Sequence, residues 1–182
     1  RGDTVHIDII DKAGNMFTAT PSGGWLQSSP VIPALGWPLG SRAQMFWLDE
    51  SHPGALMPGK RPRSSMAPTI VYDPAGRVSL VVGSPGGSSI INYVTKMILA
   101  TVDWKLDPQA AVALPNFGSR NGPVELEQDT PVAALADRLR ALGHDVSVLP
   151  LTSGAGAILR ERGTWAGGAD PRREGTARGE RP

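Results

Sequence analysis

The sequence predicts an α+β fold, and three observations support this prediction. β-branched residues are concentrated in two predicted hairpins in the first half of the chain. Apolar residues then recur at helical spacing after a glycine-rich turn. Proline follows a potential capping residue at two further places, which is typical of helix starts. With 182 residues, the chain is long enough for one domain with a substantial hydrophobic core.

The predicted early strands form two hairpins. The first hairpin joins residues 5–10 to residues 16–20, and the second joins residues 69–72 to residues 78–83. Glycine, proline and serine are frequent in the 21–66 segment between them, as in long ordered loops. We therefore expect regular structure on both sides of a long irregular connection.

A helix is predicted over residues 90–102, directly after the loop Gly83-Ser84-Pro85-Gly86-Gly87-Ser88. This order places the glycine loop at a helix N-terminus. Asp107-Pro108 and Thr130-Pro131 predict two further helix starts. The closing strands are predicted at three places, 145–149, 157–160 and 164–166.

Charge and composition exclude several classes of function. Lys and Arg number 18 against 17 Asp and Glu, and no block of like charge forms a basic stripe, so we expect no nucleic-acid partner. The absence of cysteine excludes disulfides, thiolate zinc sites and a cysteine nucleophile. His6, His52 and His144 lack paired spacing, so no metal or other cofactor is expected. Asp8 and Asp11 are expected to be solvated in a strand and a turn.

No membrane association is expected, because no run of eighteen apolar residues occurs. The first residues also lack the basic and then apolar layout of a signal peptide. We expect a soluble protein, and composition leaves cytoplasmic, periplasmic and secreted locations open. The segment 172–182 is rich in Arg, Glu and Gly without apolar periodicity, so a disordered tail is expected there.

Four segments carry a resemblance to a known family: Asp3-Thr4-Val5-His6, Lys60-Arg61-Pro62-Arg63-Ser64-Ser65-Met66-Ala67-Pro68-Thr69, Gly83-Ser84-Pro85-Gly86-Gly87-Ser88 and Ala169-Asp170-Pro171-Arg172. Together they resemble the small subunit of γ-glutamyltranspeptidases and the related cephalosporin acylase-like enzymes. The resemblance implies an N-terminal-nucleophile hydrolase fold, a four-layer αββα sandwich. Residues 1–171 would supply its small-subunit half, with residues 1–3 a propeptide remnant. A large subunit cut from the same precursor would supply the other half, as a heterodimer or a higher oligomer.

The resemblance assigns the catalytic nucleophile to Thr4. A hydroxyl is a weak nucleophile, but a free α-amine on the same residue, with a pKa of about 7.7 to 8.0, can take its proton. Three residues precede Thr4, so its nitrogen is an amide in the uncleaved chain. Ser22 matches a family threonine that hydrogen-bonds the nucleophile. Without the resemblance, Thr4 would be an ordinary residue at the start of a strand.

Two further pairs take roles from the resemblance. Ser64 and Ser65 match a serine pair that contacts the substrate carboxylate, a role that suits hydroxyl donors without charge. Gly86 and Gly87 match the oxyanion-hole glycines, whose backbone N–H groups can converge on developing negative charge beside a helix N-terminus. The alternatives are a solvated serine turn and a plain glycine turn.

The substrate head-group region departs from the family pattern. Gly24 stands where the family commonly has asparagine, so one side-chain contact to the substrate is missing. The stretch from Arg42 to Trp47 replaces a motif that contains the acidic residue for the substrate α-amine. Arg42 suits an acyl group that bears a carboxylate but no amine, such as a glutaryl chain, unless it is a surface residue. Three loop tryptophans line a pocket or anchor packing, Trp25, Trp37 and Trp47.

The resemblance implies an autoprocessed amidohydrolase or acyltransferase that forms an acyl-enzyme on Thr4 and acts on γ-glutamyl-type or, given the departure at Arg42, glutaryl-type amides. Its small-molecule substrate would be bound with the large subunit in place. The alternative is a catalytically silent family member that acts as a binding or structural subunit. A nucleic-acid-binding module is a weaker alternative, because residues 169–182 carry almost balanced charge.

Overall fold

A computed structural model describes residues 4–23 and 29–179 of the chain. The strands are, in chain order, β1 (Ile7–Ile10), β2 (Met16–Ala19), β3 (Val31–Ile32), β4 (Trp37–Pro38), β5 (Thr69–Tyr72), β6 (Val78–Gly83), β7 (Phe117–Ser119), β8 (Val124–Glu127), β9 (Val146–Leu149), β10 (Gly156–Glu161) and β11 (Thr164–Ala169). The α-helices are α1 (Ile90–Ile98), α2 (Pro108–Ala113) and α3 (Ala136–Ala141). Runs of strands are followed by runs of helices, and the largest sheet is antiparallel, so the predicted α+β class is confirmed.

The largest sheet has four antiparallel strands in the order β11-β10-β6-β5. Its β5–β6 hairpin closes at Asp73, whose carboxylate accepts hydrogen bonds from the Ala75 and Arg77 amides. Strand β10 pairs with the other edge of β6, and this register places Gly156 opposite Gly83. The sheet therefore joins the predicted second hairpin to the predicted closing strands.

Helices α1 and α2 pack on the central sheet and form the hydrophobic core with it. The helical periodicity predicted for 90–102 is correct, although the last turn, Leu99–Asp103, widens into a π-helix. Asp107 caps α2, because its carboxylate accepts a hydrogen bond from the Ala110 amide at 2.9 Å. The core residues are Leu80, Val82, Ile90, Val94, Met97, Ala100, Ala111, Val112, Ala155 and Ala157.

A second sheet of three strands has the order β7-β8-β9, with β8 and β9 parallel. Of these three strands, only β9 is predicted from the sequence. Strand β7 is short and contains Gly118, and β8 is short and contains two glutamates. The helix predicted after Thr130-Pro131 begins with a 3₁₀ turn over Pro131–Leu135 and continues as α3. The Thr130 hydroxyl donates to the Glu127 carbonyl instead of capping the helix.

The β1–β2 hairpin packs on the central sheet with its polar side inward. The side chains of His6 and Asp8 are only 2% and 5% exposed, so the expectation that Asp8 is solvated is wrong. Asp11, by contrast, is exposed and holds the turn by accepting bonds from the Ala13 and Asn15 amides. Strand alternation then turns the β-branched residues outward.

The long connection contains little regular structure, as predicted: one two-residue hairpin, β3–β4, and a 3₁₀ turn over Arg42–Met45 in its described part. At the other end of the chain, the domain boundary at 171 and the disordered tail remain predictions. The structure adds that Arg173 donates to the Thr152 carbonyl and that Arg172 bonds to Glu127. Within residues 4–23 and 29–179, no helix has the length and apolar character to cross a membrane.

Candidate active site

The predicted nucleophile lies at the end of the first hairpin. Thr4 is buried, and its hydroxyl oxygen is 2.7 Å from the Ser22 hydroxyl oxygen, a hydrogen-bond distance. The hairpin register explains this contact, because the Val5 amide donates to the Pro21 carbonyl at 3.2 Å and so places Thr4 opposite Ser22. The structure thus brings together two residues that are 18 positions apart in the sequence.

Arg42 lies beside Gly23, the residue that follows Ser22. Gly23 follows Ser22 with a φ of +92°, and a methyl group on its Cα would stand 3.1 Å from both Arg42 Nε and Ser41 Oγ. Because Gly23 has no side chain, Ser41 and Arg42, at the start of the 3₁₀ turn, can approach the segment after β2 this closely. Arg42 was singled out from the departure in the head-group loop. The structure places it against the residue that follows Ser22, the hydrogen-bond partner of Thr4. The other head-group residue, Gly24, and Trp25 lie outside the described residues.

The glycine loop has backbone geometry that requires glycine. Gly86 has a φ of +141° and Gly87 a φ of +59°, both in the region that side chains disfavour. A methyl group at Gly86 would also lie 2.6 Å from Tyr93 Cε2. The loop runs through a 3₁₀ turn directly into α1, so it lies at the N-terminus of that helix, where backbone amides lack intrahelical partners. The oxyanion-hole role of the two glycines stays a prediction.

The serine pair is placed against the glycine loop. Ser65 donates from its hydroxyl to the Gly87 carbonyl at 2.7 Å, which joins the 60–69 segment to the predicted oxyanion loop. The Ser64 hydroxyl accepts a hydrogen bond from the Met66 amide at 3.1 Å. Both predicted substrate contacts stay predictions, and both hydroxyls have protein partners in this structure.

The loop tryptophans have different surroundings. Trp47 stacks on the His52 ring with a centroid distance of 4.1 Å, so it anchors the loop on one side. Trp37, on β4, is largely exposed. Neither contact distinguishes pocket lining from packing, and that assignment stays a prediction.

A buried polar cluster that was not predicted from the sequence lies close to Thr4 in the chain, and it consists of His6, Asp8 and Thr20. The His6 Nδ1 atom is 2.9 Å from the Thr20 hydroxyl, and its Nε2 atom is 2.9 Å from the Asp8 carboxylate. The second contact is close but not in line with a ring N–H, since His6 Nε2 and both Asp8 oxygens lack hydrogen-bond geometry. The signal in the sequence was the polar alternation of His6 and Asp8 in a strand of β-branched residues.

The fourth resembling segment forms a buried ionic network. Arg172 donates to Glu127 at 2.5 Å and to Asp170 at 3.0 Å. Asp170 also accepts a hydrogen bond from the Ser153 hydroxyl. The network joins the end of β11 to β8, and so ties the two sheets together.

With this geometry established, comparison with known proteins identifies the family. The family model described as "Gamma-glutamyltranspeptidase" matches residues 1–180. The chain belongs to the γ-glutamyltranspeptidase family. The resemblance stated on four sequence segments is thereby confirmed, and so is membership in a family of enzymes.

Individual family members agree with this assignment. The chain is 31% identical over 182 residues to the glutathione hydrolase proenzyme of Bacillus subtilis (strain 168), which covers 98% of this chain and 31% of that protein. It is 33% identical over 190 residues to the oxamate amidohydrolase proenzyme of Klebsiella pneumoniae subsp. pneumoniae, covering 98% and 36% of the two chains. The chain therefore spans about a third of the length of these γ-glutamyltranspeptidase relatives.

A solved structure of the γ-glutamyltranspeptidase of Helicobacter pylori superimposes with a TM-score of 0.80 at 29% identity. The match covers 92% of this chain and 99% of that chain. The predicted N-terminal-nucleophile hydrolase fold is confirmed by this likeness.

Proposed function

We propose that this chain is the catalytic small subunit of an amidohydrolase or acyltransferase that works through an acyl-enzyme on Thr4. One observation carries the proposal: the buried Thr4 hydroxyl lies 2.7 Å from the Ser22 hydroxyl. That contact orients the hydroxyl that we assign as the nucleophile. Because the relatives are named proenzymes, the proposal includes self-cleavage before Thr4.

Self-cleavage and turnover use the same atoms. The Thr4 hydroxyl attacks the Asp3 carbonyl carbon, its proton passes to the Thr4 nitrogen, and that C–N bond breaks to leave an ester. The Thr4 amine is free from this step on. Water then hydrolyses the ester, which releases the segment ending in Asp3 as a carboxylic acid and regenerates the Thr4 hydroxyl. The amine is afterwards the general base for attack on a substrate amide, since its pKa lies near neutrality. An acyl group on Thr4 is released to water or to an acceptor amine.

The glycine loop supplies the charge stabilisation that both reactions need. Each tetrahedral intermediate carries an oxyanion, and the amides of Gly86 and Gly87 are the donors that we assign to it. The positive φ values of these residues and the start of α1 behind them support that role. Ser65, held on Gly87, positions the substrate-binding serine pair beside the loop.

For the acyl donor, we propose an acyl chain that carries a carboxylate and no α-amine. Arg42 is beside Gly23, one residue from the Thr4 partner, and it provides a guanidinium for bidentate binding of a carboxylate. No acidic residue occurs between Arg42 and Trp47 to bind an ammonium group. The Klebsiella relative is named for oxamate, an amide with this combination of groups. A γ-glutamyl donor is the alternative class.

The test compares kcat/KM for glutaryl-p-nitroanilide and γ-glutamyl-p-nitroanilide in the processed protein. A charge-assisted hydrogen bond contributes about 1.5 to 3 kcal/mol, so the glutaryl donor should be favoured by roughly tenfold to a hundredfold. Arg42→Ala should remove this preference and Arg42→Lys should keep part of it, while Arg61→Ala, on an exposed segment, is the matched control. A γ-glutamyl preference that Arg42→Ala does not change would place the head-group site on other residues. No turnover of any amide would instead favour the silent binding subunit.

The exposed apolar surface on the outer side of the first hairpin is the reason that we propose a large-subunit partner from the same precursor. Its apolar residues are between 45% and 55% exposed, namely Val5, Ile7, Ile9 and Phe17. A contiguous row of such residues on a strand pair is typical of a surface that another layer covers. We expect the chain expressed alone to be insoluble or to lack a cooperative thermal transition, which calorimetry on the isolated chain would reveal.

A further inference from the structure

The imidazole of His6 packs against two paired glycines of the central sheet, Gly83 on β6 and Gly156 on β10, and we call the space that they leave the slot. Gly83, on β6, faces it so closely that a methyl group on the glycine would lie 2.1 Å from His6 Cε1. Gly156 lies opposite Gly83 in the register, and a methyl group there would be 3.4 Å from His6 Cδ2. The ring thus fills the space that two paired glycines leave, and no larger residue fits at Gly83 without moving it.

This slot joins the two halves of the proposed machinery. His6 follows Thr4 by two residues in the segment that leads into β1, and both side chains are buried. Gly83 ends β6 and precedes Gly86 by three residues. The contact between the imidazole and Gly83 therefore sets how far Thr4 lies from the Gly86-Gly87 loop.

We propose that His6 is a positioning residue, which holds Thr4 in place relative to the Gly86-Gly87 loop. The inference rests on the proposed function, because it assigns no new reaction. It adds a residue whose side chain reaches neither substrate nor the reacting atoms and acts through the packing of β1 on β6.

Polar groups flank both ring nitrogens of the imidazole, and the one at Nδ1, the Thr20 hydroxyl, is within hydrogen-bond distance and geometry. Thr20, directly across the hairpin, lies 2.9 Å from Nδ1, and the Asp8 carboxylate lies 2.9 Å from Nε2. All three side chains are at least nine-tenths buried, so the ring has few alternative positions. A buried polar pair is a costly way to fill a slot, since an apolar side chain would avoid the desolvation. Its advantage is a fixed ring plane, which apolar packing alone does not impose.

The experiment uses the full precursor carrying Gly83→Ala, His6→Ala, or both substitutions. Gly83→Ala pushes the ring out of its slot, whereas His6→Ala removes it. In the double variant, the methyl group enters space that the ring no longer fills. Gly122→Ala is the matched control, because a methyl group there has no atom within 4 Å and its φ is ordinary.

Two rates are measured for each protein: self-cleavage before Thr4, and kcat per active site counted by the acyl-enzyme burst. A misplacement of about 1 Å is able to reduce turnover by about a hundredfold. We expect Gly83→Ala and His6→Ala each to lower kcat by tenfold to a hundredfold, with KM changed less than threefold. The double variant should be no slower than His6→Ala. His6→Asn, which keeps a partner for Thr20, should recover part of kcat.

Other outcomes overturn the inference. Unchanged kcat per active site, together with a lower melting temperature, would mean that His6 is purely structural. Additive losses in the double variant would mean that the ring and Gly83 act independently. If the wild-type protein turns over amides and the variants have the same kcat per active site, the proposed function is retained and the positioning role of His6 is wrong. A wild-type protein that neither cleaves itself nor turns over amides would overturn both.

Discussion

The first hairpin and the central sheet bury opposite kinds of side chain. In the hairpin, His6 and Asp8 point inward and the β-branched residues of β1 point outward. In the central sheet, Leu80 and Val82 on β6 are fully buried against α1 and α2. Both regions have similar β-rich sequences, yet only the central sheet follows the usual rule of an apolar interior.

Under the proposed function, the central sheet provides stability and the buried polar side of the hairpin provides the reacting groups. Burying polar side chains costs free energy unless they are partnered, and the hairpin does so in a row that begins at Thr4 and Ser22. Leaving an apolar row exposed to water is also unfavourable unless another layer covers it. Both departures occur on the strand pair that carries the proposed nucleophile.

The largest expected effect is on the hairpin side of this comparison. Thr4→Ala should abolish self-cleavage and lower turnover by about 10³-fold or more, because the same hydroxyl attacks in both reactions. Thr4→Ser, which keeps the hydroxyl, should retain measurable activity. Intact mass and initial rates on purified precursor test this. Normal cleavage in Thr4→Ala would remove Thr4 from the mechanism.

Two substitutions should separate the outer hairpin surface from the core. Leu80→Ala should lower the free energy of unfolding by about 2 to 5 kcal/mol, because Leu80 is fully buried. Ile9→Asp should instead weaken association with the large subunit, as a charge buried in an apolar interface is costly. Denaturant unfolding and sedimentation of the processed protein measure these effects. Leu142→Asp, on an exposed end of α3, is the control; equal dissociation in it would contradict the assignment.

A buried lysine, Lys96, lies on α1, the helix that packs on the central sheet. Burial and the nearby Arg172 guanidinium lower the pKa of Lys96 from 10.5 to about 8. Between these values the unfolded chain holds the proton more tightly than the folded chain, so the free energy of unfolding should rise with pH from 8 to 10.5. The rise is at most about 1.4 kcal/mol per pH unit and should be absent in Lys96→Met. Thermal unfolding of both proteins across this pH range is the measurement; parallel curves would contradict it.

The smallest expected effect concerns the partner of the nucleophile. Ser22→Ala should lower kcat by about tenfold, since one hydrogen bond contributes about 1.4 kcal/mol to orientation. Ser22→Thr keeps the hydroxyl and should restore most of it. Steady-state rates with saturating substrate are the measurement. An unchanged kcat in Ser22→Ala would mean that the Thr4–Ser22 contact has no catalytic role.

The central sheet was predictable from the sequence because its residues follow general rules. Asp73 in a tight turn, the β-branched runs of β5 and β6, and the spacing of apolar residues in α1 each predict local structure directly. The site residues Thr4, Ser22 and Arg42 were also named from the sequence, but their proximity to one another depends on the hairpin register and on the missing side chain at Gly23.

The His6 and Asp8 pair was beyond the reach of pattern reasoning. A polar residue at every second position of a strand predicts a solvent-facing side, and nothing local reveals that this side packs on the Gly83 and Gly156 slot. The short strands β7 and β8 were not predicted for a similar reason. Strand β8 pairs with both β7 and β9, and these pairings, not local propensity, define the two strands.

The most direct test of the central claim is N-terminal sequencing, with intact mass, of the protein purified from its full precursor. If the hairpin is arranged around an N-terminal nucleophile, the mature chain begins at Thr4, and its mass matches cleavage between Asp3 and Thr4. A fully active protein in which the Asp3–Thr4 bond is intact would contradict the account, because the Thr4 nitrogen would then be an amide without basicity.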